Sequence, residues 1–450
     1  MRSGALFSAV GLLAVVPFGD ATAQDADPTD GGVLFEMTAS QSIFASDNYD
    51  LVDPSVGEVR SITSLVGGLS SITRSNSFIL GFQAGVEVGD DGFELGDTGV
   101  DLSYTMMGAN SEIELFADYL TRLVTSEFVE DVGGVGTGEV FVADGTRVSF
   151  GYGARVLYGA DGPVTFALRG ARREIQFDST DPDATDSRRF TLDGSLSAAV
   201  DPATRVRVTA SYGETDEDDA EETFEENTRV GLGITRDLGN ATTVSADVNW
   251  QEVRQTSTLG TDVTNGIGGR LAFARDLPNG SFGGSAEREI TVDGTIDEIR
   301  FNRQIEFPAS ALGLEAGIAV TGGDTVSPLL GITYRRLAPD GALTLSLTQG
   351  ARLDGDDETV LNTVGTAAYR QDINALSSYR AAVSVTNQSA IEGDDTTRRI
   401  EGSLVYNRDL TDRVSLSTGY EHARIFETGD DERVSNTVFV TISRVFSARP

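Results

Sequence analysis

Apolar and polar residues alternate with a period of two along most of the chain. The pattern is clear in FILGFQAGVEV (78–88), VDLSYTM (100–106) and RVSFGYGARVLY (147–158), and it recurs as far as the closing VSNTVFVTISRVFSARP (434–450). Successive side chains of a β-strand point to opposite faces, so this period predicts strands with one apolar and one polar face. No 3.6-residue pattern is sustained after the first two dozen residues. The sequence therefore predicts an all-β fold.

The connections between these segments are of two kinds that take turns along the chain. Short links of turn-forming residues, such as Leu277-Pro278-Asn279-Gly280 and Ala338-Pro339-Asp340-Gly341, alternate with generally longer acidic links such as GDDGFELGD and ETDEDDAEETFEEN. Bacterial outer-membrane barrels have tight periplasmic turns on one rim and longer outer loops on the other. The alternation predicts an up-and-down antiparallel transmembrane β-barrel.

Counting the segments between links predicts about 22 strands. Weak segments near 60–73, 281–290 and 358–370 leave 18 or 20 strands open. An even number places both termini on the periplasmic side. The alternative is a secreted soluble sandwich, barrel or solenoid. The Gly, Ser, Thr, Asn, Asp, Glu and Arg of the polar face suit a wet lumen better than a dry core.

The first residues have the composition of an export signal. Arg2 precedes an apolar run that ends near Phe18, and the small-x-small triplet Ala21-Thr22-Ala23 follows. This predicts a signal peptide over residues 1–23, followed by one barrel domain over 24–450. Only a short stretch separates Gln24 from the first strand at Val33. We therefore expect no plug domain, unlike a TonB-dependent transporter.

The composition narrows the function further. The formal net charge of −36 argues against nucleic-acid binding, because phosphates would be repelled. The chain has no cysteine, so neither disulfides nor thiolate metal sites are available. All 34 basic residues are arginine.

Several segments resemble a known family. The stretch MTASQSIFASDNYDL, the LSYT of 102–105, the Leu-Pro-Asn-Gly turn and the closing NTVFVTISRVFSARP are similar to alphaproteobacterial outer-membrane β-barrels described as porins of uncertain function. The resemblance implies a barrel in the outer membrane of a Gram-negative cell. It implies no particular solute.

If the apolar faces meet lipid, a set of charged residues faces the lumen. Arginine binds carboxylates and phosphates through two parallel hydrogen bonds, and opposed arginines and carboxylates would create a transverse field in a pore. The alternative is that these residues only neutralise one another in a hydrated wall. The pore-lining candidates are Arg147, Arg155, Arg169, Arg173, Arg205, Arg207, Arg229, Arg270, Glu112, Glu114 and Asp118.

Two kinds of loop are further candidates. The longest connection, roughly 122–145, is long enough to fold inward and narrow a pore, or it is an outer loop or an extension of its strands. The acidic loops 178–186 and 216–226 offer oxygen ligands, but without the spacing of a calcium site. We expect no specific metal site there. Loose divalent cations bridging to lipopolysaccharide phosphates are the simpler hypothesis.

No enzymatic activity and no cofactor are expected. A hydrolase of the usual kind needs a His near Ser or Asp, and the only His, His422, continues an outward apolar row. The closing strand has a different role. Its alternating row ends near an aromatic, the kind of signal that the barrel assembly machinery reads. The recognition role is expected on Val438, Val440, Ile442 and Phe446.

The sequence thus predicts a porin-like channel for passive diffusion of small solutes or ions. The expected partners are outer-membrane lipid and lipopolysaccharide and the assembly machinery, and a homo-oligomer stays open. One alternative is a dedicated export channel for a polysaccharide or another secreted molecule. The other is a non-conducting structural or adhesion barrel whose lumen is closed.

Overall fold

The computed structural model of the chain describes residues 32–448, apart from gaps at 50, 52–54, 90–91, 125–126, 131–137, 142–144, 161, 180–184, 221, 293, 322–324, 354–358, 391–395 and 430–431. The expected signal peptide lies outside the described residues. All secondary-structure elements in the described part are β-strands. This part of the chain has no helix long and apolar enough to cross a membrane.

The strands follow one another with short connections. They are β1 (Gly32–Ser46), β2 (Glu58–Ile72), β3 (Asn76–Gly89), β4 (Gly92–Met107), β5 (Ser111–Val124), β6 (Glu127–Glu130), β7 (Gly138–Phe141), β8 (Gly145–Tyr158), β9 (Val164–Ser179), β10 (Ser187–Asp201), β11 (Thr204–Glu217), β12 (Phe224–Gly239), β13 (Thr242–Ser257), β14 (Gly260–Leu277), β15 (Gly280–Thr291), β16 (Gly294–Phe307), β17 (Ser310–Thr321), β18 (Thr325–Ala338), β19 (Gly341–Leu353), β20 (Thr359–Asn374), β21 (Ser377–Ala390), β22 (Thr396–Thr411), β23 (Val414–Glu427) and β24 (Arg433–Ala448).

These strands form a closed antiparallel barrel. Each strand pairs with its neighbours along the chain, β5 pairs with β8, and β1 pairs with β24 to close a 22-stranded sheet. The predicted all-β, up-and-down antiparallel barrel is confirmed, including the strand count. The weak segments that left 18 or 20 strands open lie in β2, β15 and β20. Strands β6 and β7 form a separate hairpin between β5 and β8.

On one rim every connection between successive barrel strands is short, and we call this the tight-turn rim. The turn between β12 and β13 is an example, because Asn240 and Ala241 both have positive φ angles of 50° and 55°. Two successive residues with positive φ form the two-residue turn whose twist matches that of the flanking strands. The sequence places another short link at Gln371–Asn374, and here the structure differs. There β20 continues to Asn374, and the turn follows at 375–376.

The connections on the opposite rim, which we call the loop rim, are shorter than the sequence predicts. The acidic stretch GDDGFELGD is not a long loop, because β3 continues to Gly89 and β4 begins at Gly92. Likewise β11 continues to Glu217 and β12 begins at Phe224. Most strands therefore have more than the 9–11 residues that span a bilayer. They rise above the apolar band as polar hairpins. At this level Glu214 and Glu226 face each other on the outer surface, and the Tyr212 hydroxyl donates to Glu214 (2.5 Å).

The apolar side chains of the strands lie mainly on the outer surface of the barrel. Among the exposed large apolar residues are Leu232 (67%), Val248 (58%) and Ile267 (69%), and Leu232 of β12 lies directly opposite Val248 of β13. An outward apolar band around a closed sheet is the surface of an outer-membrane-type barrel. Buried apolar residues in the described part are few and lie mainly at the loop rim, for example Ala319 and Leu329.

Candidate functional site

The pairing register places all of the charged candidates on one face of the sheet. Directly opposed residues of an antiparallel pair share a face. One row runs Glu114, Arg155, Arg169, Asp193 across β5, β8, β9 and β10. The same face carries Arg147, Arg173, Arg205, Arg207, Arg229 and Arg270 on β8 to β14, and Glu112 and Asp118 on β5.

This face is the concave one. Arg229 of β12 donates to Glu289 of β15 at 2.9 Å, although two strands lie between them. Arg173 of β9 donates to Asp118 of β5 at 3.1 Å across β8. Side chains reach over intervening strands only on the inner side of a curved sheet. The charged candidates therefore lie on the wall of the lumen.

Glycine makes these long contacts feasible. Asp118, Gly151 and Arg173 form one row on β5, β8 and β9, and the Asp118 carboxylate lies over Gly151. A Cβ on Gly151 would lie 2.5 Å from Asp118 Oδ1. The side chains therefore lie flat against the wall, and the lumen stays wide.

The same arrangement recurs on β11 to β13. Asp247, Gly233 and Arg207 form a row, and Arg207 donates to Asp247 at 2.5 Å across the glycine strand. The Asp247 carboxylate occupies the space that a Cβ on Gly233 would need. Sequence reasoning found the arginines but not these glycines, because the row is only visible once the register of three strands is known.

Charge is distributed unevenly around the wall. On β4 and β5 the inner face is mainly acidic, with Asp101 directly opposite Asp118. On β8 to β11 it is mainly basic, with Arg155 opposite Arg169. Arg155 and Arg169 are both exposed. Far around the barrel, the inner faces of β19 and β21 carry mainly small and hydroxyl side chains, such as Ser346.

The first loop contributes a buried cluster that the sequence did not reveal. Arg60 of β2 is 2% exposed and forms ion pairs with Glu58 (2.7 Å) and Glu87 (2.8 Å). Its guanidinium lies 4.1 Å from the centre of the Tyr49 ring. Tyr49 in turn contacts Phe44, which packs on Phe439 of the last strand. The loop after β1 thus folds over the inner wall beside the closing strand pair.

The closing strand pair is joined by side chains as well as by the backbone. On the inner face Ser40 and Ser42 hydrogen-bond to Ser443 (3.0 Å) and Thr441 (2.8 Å). At the loop rim both side-chain oxygens of Asp47 accept hydrogen bonds from Asn436. The residues expected to be read during assembly, Val438, Val440, Ile442 and Phe446, lie on the outward face of β24.

The remaining candidates are His422, the acidic loops and the connection at 122–145. His422 faces outward, with Nδ1 2.9 Å from Asn436 Oδ1. The Tyr420 hydroxyl donates to the same oxygen at 2.6 Å. Among the described residues no group of three or more His, Asp or Glu side chains could hold a metal ion. In the connection at 122–145 the residues 125–126, 131–137 and 142–144 lie outside the described residues, and no side chain from 124 to 144 is described. Part of each acidic loop also lies outside the described residues.

Known structures share this fold. No family model and no curated protein matches the chain. The ferric enterobactin receptor of Pseudomonas aeruginosa in complex with enterobactin is similar, with a TM-score of 0.59 and 10% identity over 93% of this chain and 82% of that one. The FrpB iron transporter of Neisseria meningitidis matches with a TM-score of 0.59 and 9% identity over 93% of this chain and 82% of that one. The copper transporter OprC matches with a TM-score of 0.55 and 13% identity over 92% of this chain and 81% of that one. At such identities the likeness extends to the fold alone.

Proposed function

We propose that the protein is an outer-membrane channel through which small charged or dipolar solutes diffuse. The observation that carries the proposal is the closed barrel with a polar, charged inner wall. A sheet of 22 strands, spaced about 4.8 Å apart and tilted by about 40°, closes into a ring roughly 40 Å across at the backbone. Side chains that lie flat on the wall cannot fill such a ring.

The described residues from 32 onward form the barrel strands, their connections and the β6–β7 hairpin. Of the connections, the first loop packs against the inner wall. This arrangement favours passive diffusion. The receptors and transporters that share the fold carry enterobactin, iron or copper by their names, but their cargo is not a basis for assigning one here.

The uneven wall gives the proposed channel its selectivity. The acidic face of β4 and β5 lies beside the basic face of β8 to β11, which sets up a field across part of the lumen. A solute with separated positive and negative groups would be oriented there. The exposed Arg155 and Arg169 are the residues on which anion passage depends most, since neither forms an ion pair with a described residue.

The proposed setting is the outer membrane, with the tight-turn rim and both ends of the barrel on the periplasmic side, as in other barrels of this kind. The resemblance to alphaproteobacterial porin-like proteins supports the same setting. The outward row of β24 would be read by the assembly machinery before closure against β1.

Planar-bilayer recording of the purified protein tests the proposal. We expect stepwise conductance increments and a reversal potential, in a salt gradient, that moves toward cation selectivity when Arg155 and Arg169 are both replaced by Glu. Arg335→Glu, far around the wall, is the matched control. A sample that shows heat-modifiable migration on a gel, and is therefore folded, but never conducts would overturn the proposal.

A further inference from the structure

A repeated pattern lies on the outside of the barrel near the tight-turn rim. On six strands that descend to this rim an arginine stands between two outward apolar residues, at spacing two on either side. The repeats are Ile234-Arg236-Leu238 (β12), Phe273-Arg275-Leu277 (β14), Phe301-Arg303-Ile305 (β16), Tyr334-Arg336-Ala338 (β18), Tyr406-Arg408-Leu410 (β22) and Ile442-Arg444-Phe446 (β24). We call these six arginines the arginine belt.

The belt faces away from the lumen. Its cross-strand neighbours include Val244 opposite Arg236, Leu343 opposite Arg336 and Leu416 opposite Arg408. No directly opposed residue of any belt arginine is a carboxylate. The belt therefore lies at the edge of the apolar band, and no belt arginine has a carboxylate directly across a strand pair.

Two members of the belt have partners in the protein. Arg303 donates to the carbonyl of Ser281 (2.8 Å) and to Asn279 Oδ1 (2.9 Å). Arg444 lies over the ring of Phe446 at 4.9 Å. The other four, Arg236, Arg275, Arg336 and Arg408, are exposed and have no ion pair with any described residue. Their guanidinium donors are available to an external anion.

The belt covers only one arc of the barrel. From β2 to β10 the corresponding outward positions carry residues such as Tyr104, Tyr158 and Val200. On β20 the arginine is displaced by one residue, so Arg370 faces the lumen. The cationic arc therefore runs from β12 to β24, with a gap at β20.

We propose that the arginine belt binds the phosphate groups of anionic phospholipids in the leaflet at the tight-turn rim. An arginine at the edge of a bilayer extends its stem along apolar surface and its charged end toward the head groups. The guanidinium fork matches two phosphate oxygens, and the flanking apolar residues contact the acyl chains. Anionic lipid accordingly concentrates along the arc from β12 to β24.

Adjacent residues supply a matched test. Arg336 faces lipid, whereas Arg335 faces the lumen opposite Ala311 and Thr344. The full chain is reconstituted in phosphatidylcholine nanodiscs that contain a minor share of phosphatidylglycerol. Lipids retained after mild detergent extraction are then counted by class with native mass spectrometry. We expect wild type and Arg335→Gln to retain phosphatidylglycerol preferentially. In Arg336→Gln the preference for phosphatidylglycerol over phosphatidylcholine at one site should fall about fivefold.

A second measurement maps the lipid. Photoreactive phosphatidylglycerol should cross-link to strands of the β12 to β24 arc and rarely to β4 or β8. The proposal would be overturned if Arg336→Gln retained as much phosphatidylglycerol as wild type, or if Arg335→Gln lost as much as Arg336→Gln. Cross-links spread uniformly around the barrel would also overturn it. So would displacement of the lipid by inorganic phosphate at matched ionic strength, because the ligand would then be the free anion. Heat-modifiable migration verifies that each variant is folded.

Discussion

Replacing Arg60 by Met should destabilise the loop rim of the barrel far more than replacing any exposed lumen arginine. Arg60 lies between two carboxylates and pairs with both, and the side chains of Arg60, Glu58 and Glu87 are 2%, 9% and 7% exposed. Without the guanidinium the two buried carboxylates lose its positive charge. The Tyr49 ring also loses the cation against which it packs.

The size of the effect follows from this burial. Removing one partner of a buried ion pair costs about 3–5 kcal/mol, because an uncompensated charge stays behind. An exposed pair is worth about 0–1 kcal/mol after screening by solvent and salt. Arg207, which pairs with Asp247 and is 48% exposed, is the matched comparison. We expect Arg207→Gln to be close to wild type in stability.

Urea unfolding in lipid vesicles, followed by gel migration, measures the difference. Local opening can be followed separately, because the chain has no cysteine. A single Ser46→Cys substitution at the buried start of the first loop reports exposure through its rate of maleimide labelling. We expect faster labelling in the Arg60→Met background. Replacing Glu58 and Glu87 by Gln as well should restore much of the stability, since the buried charges are then gone.

A clear result would refute this reasoning. If Arg60→Met unfolds at the same urea concentration as Arg207→Gln and labels no faster than wild type, the cluster contributes no more than an exposed pair. If the triple variant is no more stable than Arg60→Met, the loss comes from packing against Tyr49 rather than from unpaired carboxylates.

Three further outcomes are expected. Gly151→Ala should displace the Asp118 carboxylate and shift the reversal potential, whereas Gly350→Ala, with open space at its Cβ, should leave it unchanged; equal behaviour would contradict the account of the wall. Deleting residues 125–144 and closing the gap with a short turn should leave heat-modifiable migration intact, because β5 and β8 pair directly. Deleting β24 should abolish a heat-modifiable band, since β1 and β23 then lose their shared partner; a normal band would overturn that expectation.

Much of the barrel could be predicted from the sequence because its signals are local. A period of two fixes the faces of each strand, and turn residues mark its ends, so the strand count and the facing of Arg155 or Arg270 follow. The acidic hairpins at the loop rim were harder to predict from the sequence. Glu214 and Glu226 look like loop residues, yet they pair across extended strands above the apolar band, where polar side chains can face outward.

The rest depends on register between strands. The rows through Gly151 and Gly233 exist only when three strands are aligned, and a single strand contains no hint of them. The Arg60 cluster brings together the first loop, β2, β3 and the last strand. Such contacts join residues that no local pattern relates. The weak alternation of β2 also hid that Arg60 and Glu58 share a face.

The pairing of β1 with β24 makes the order of the strands in the chain a convention rather than a requirement. All other barrel pairings join successive barrel strands, and Phe35 lies directly opposite Ala448 on the tight-turn rim. A short linker could therefore join the two ends of the barrel, and a cut at another tight turn would give a circular permutant with the same sheet. In such a molecule a different strand would come last from the ribosome. The effect of a strand's C-terminal position could then be separated from the effect of the sequence of β24.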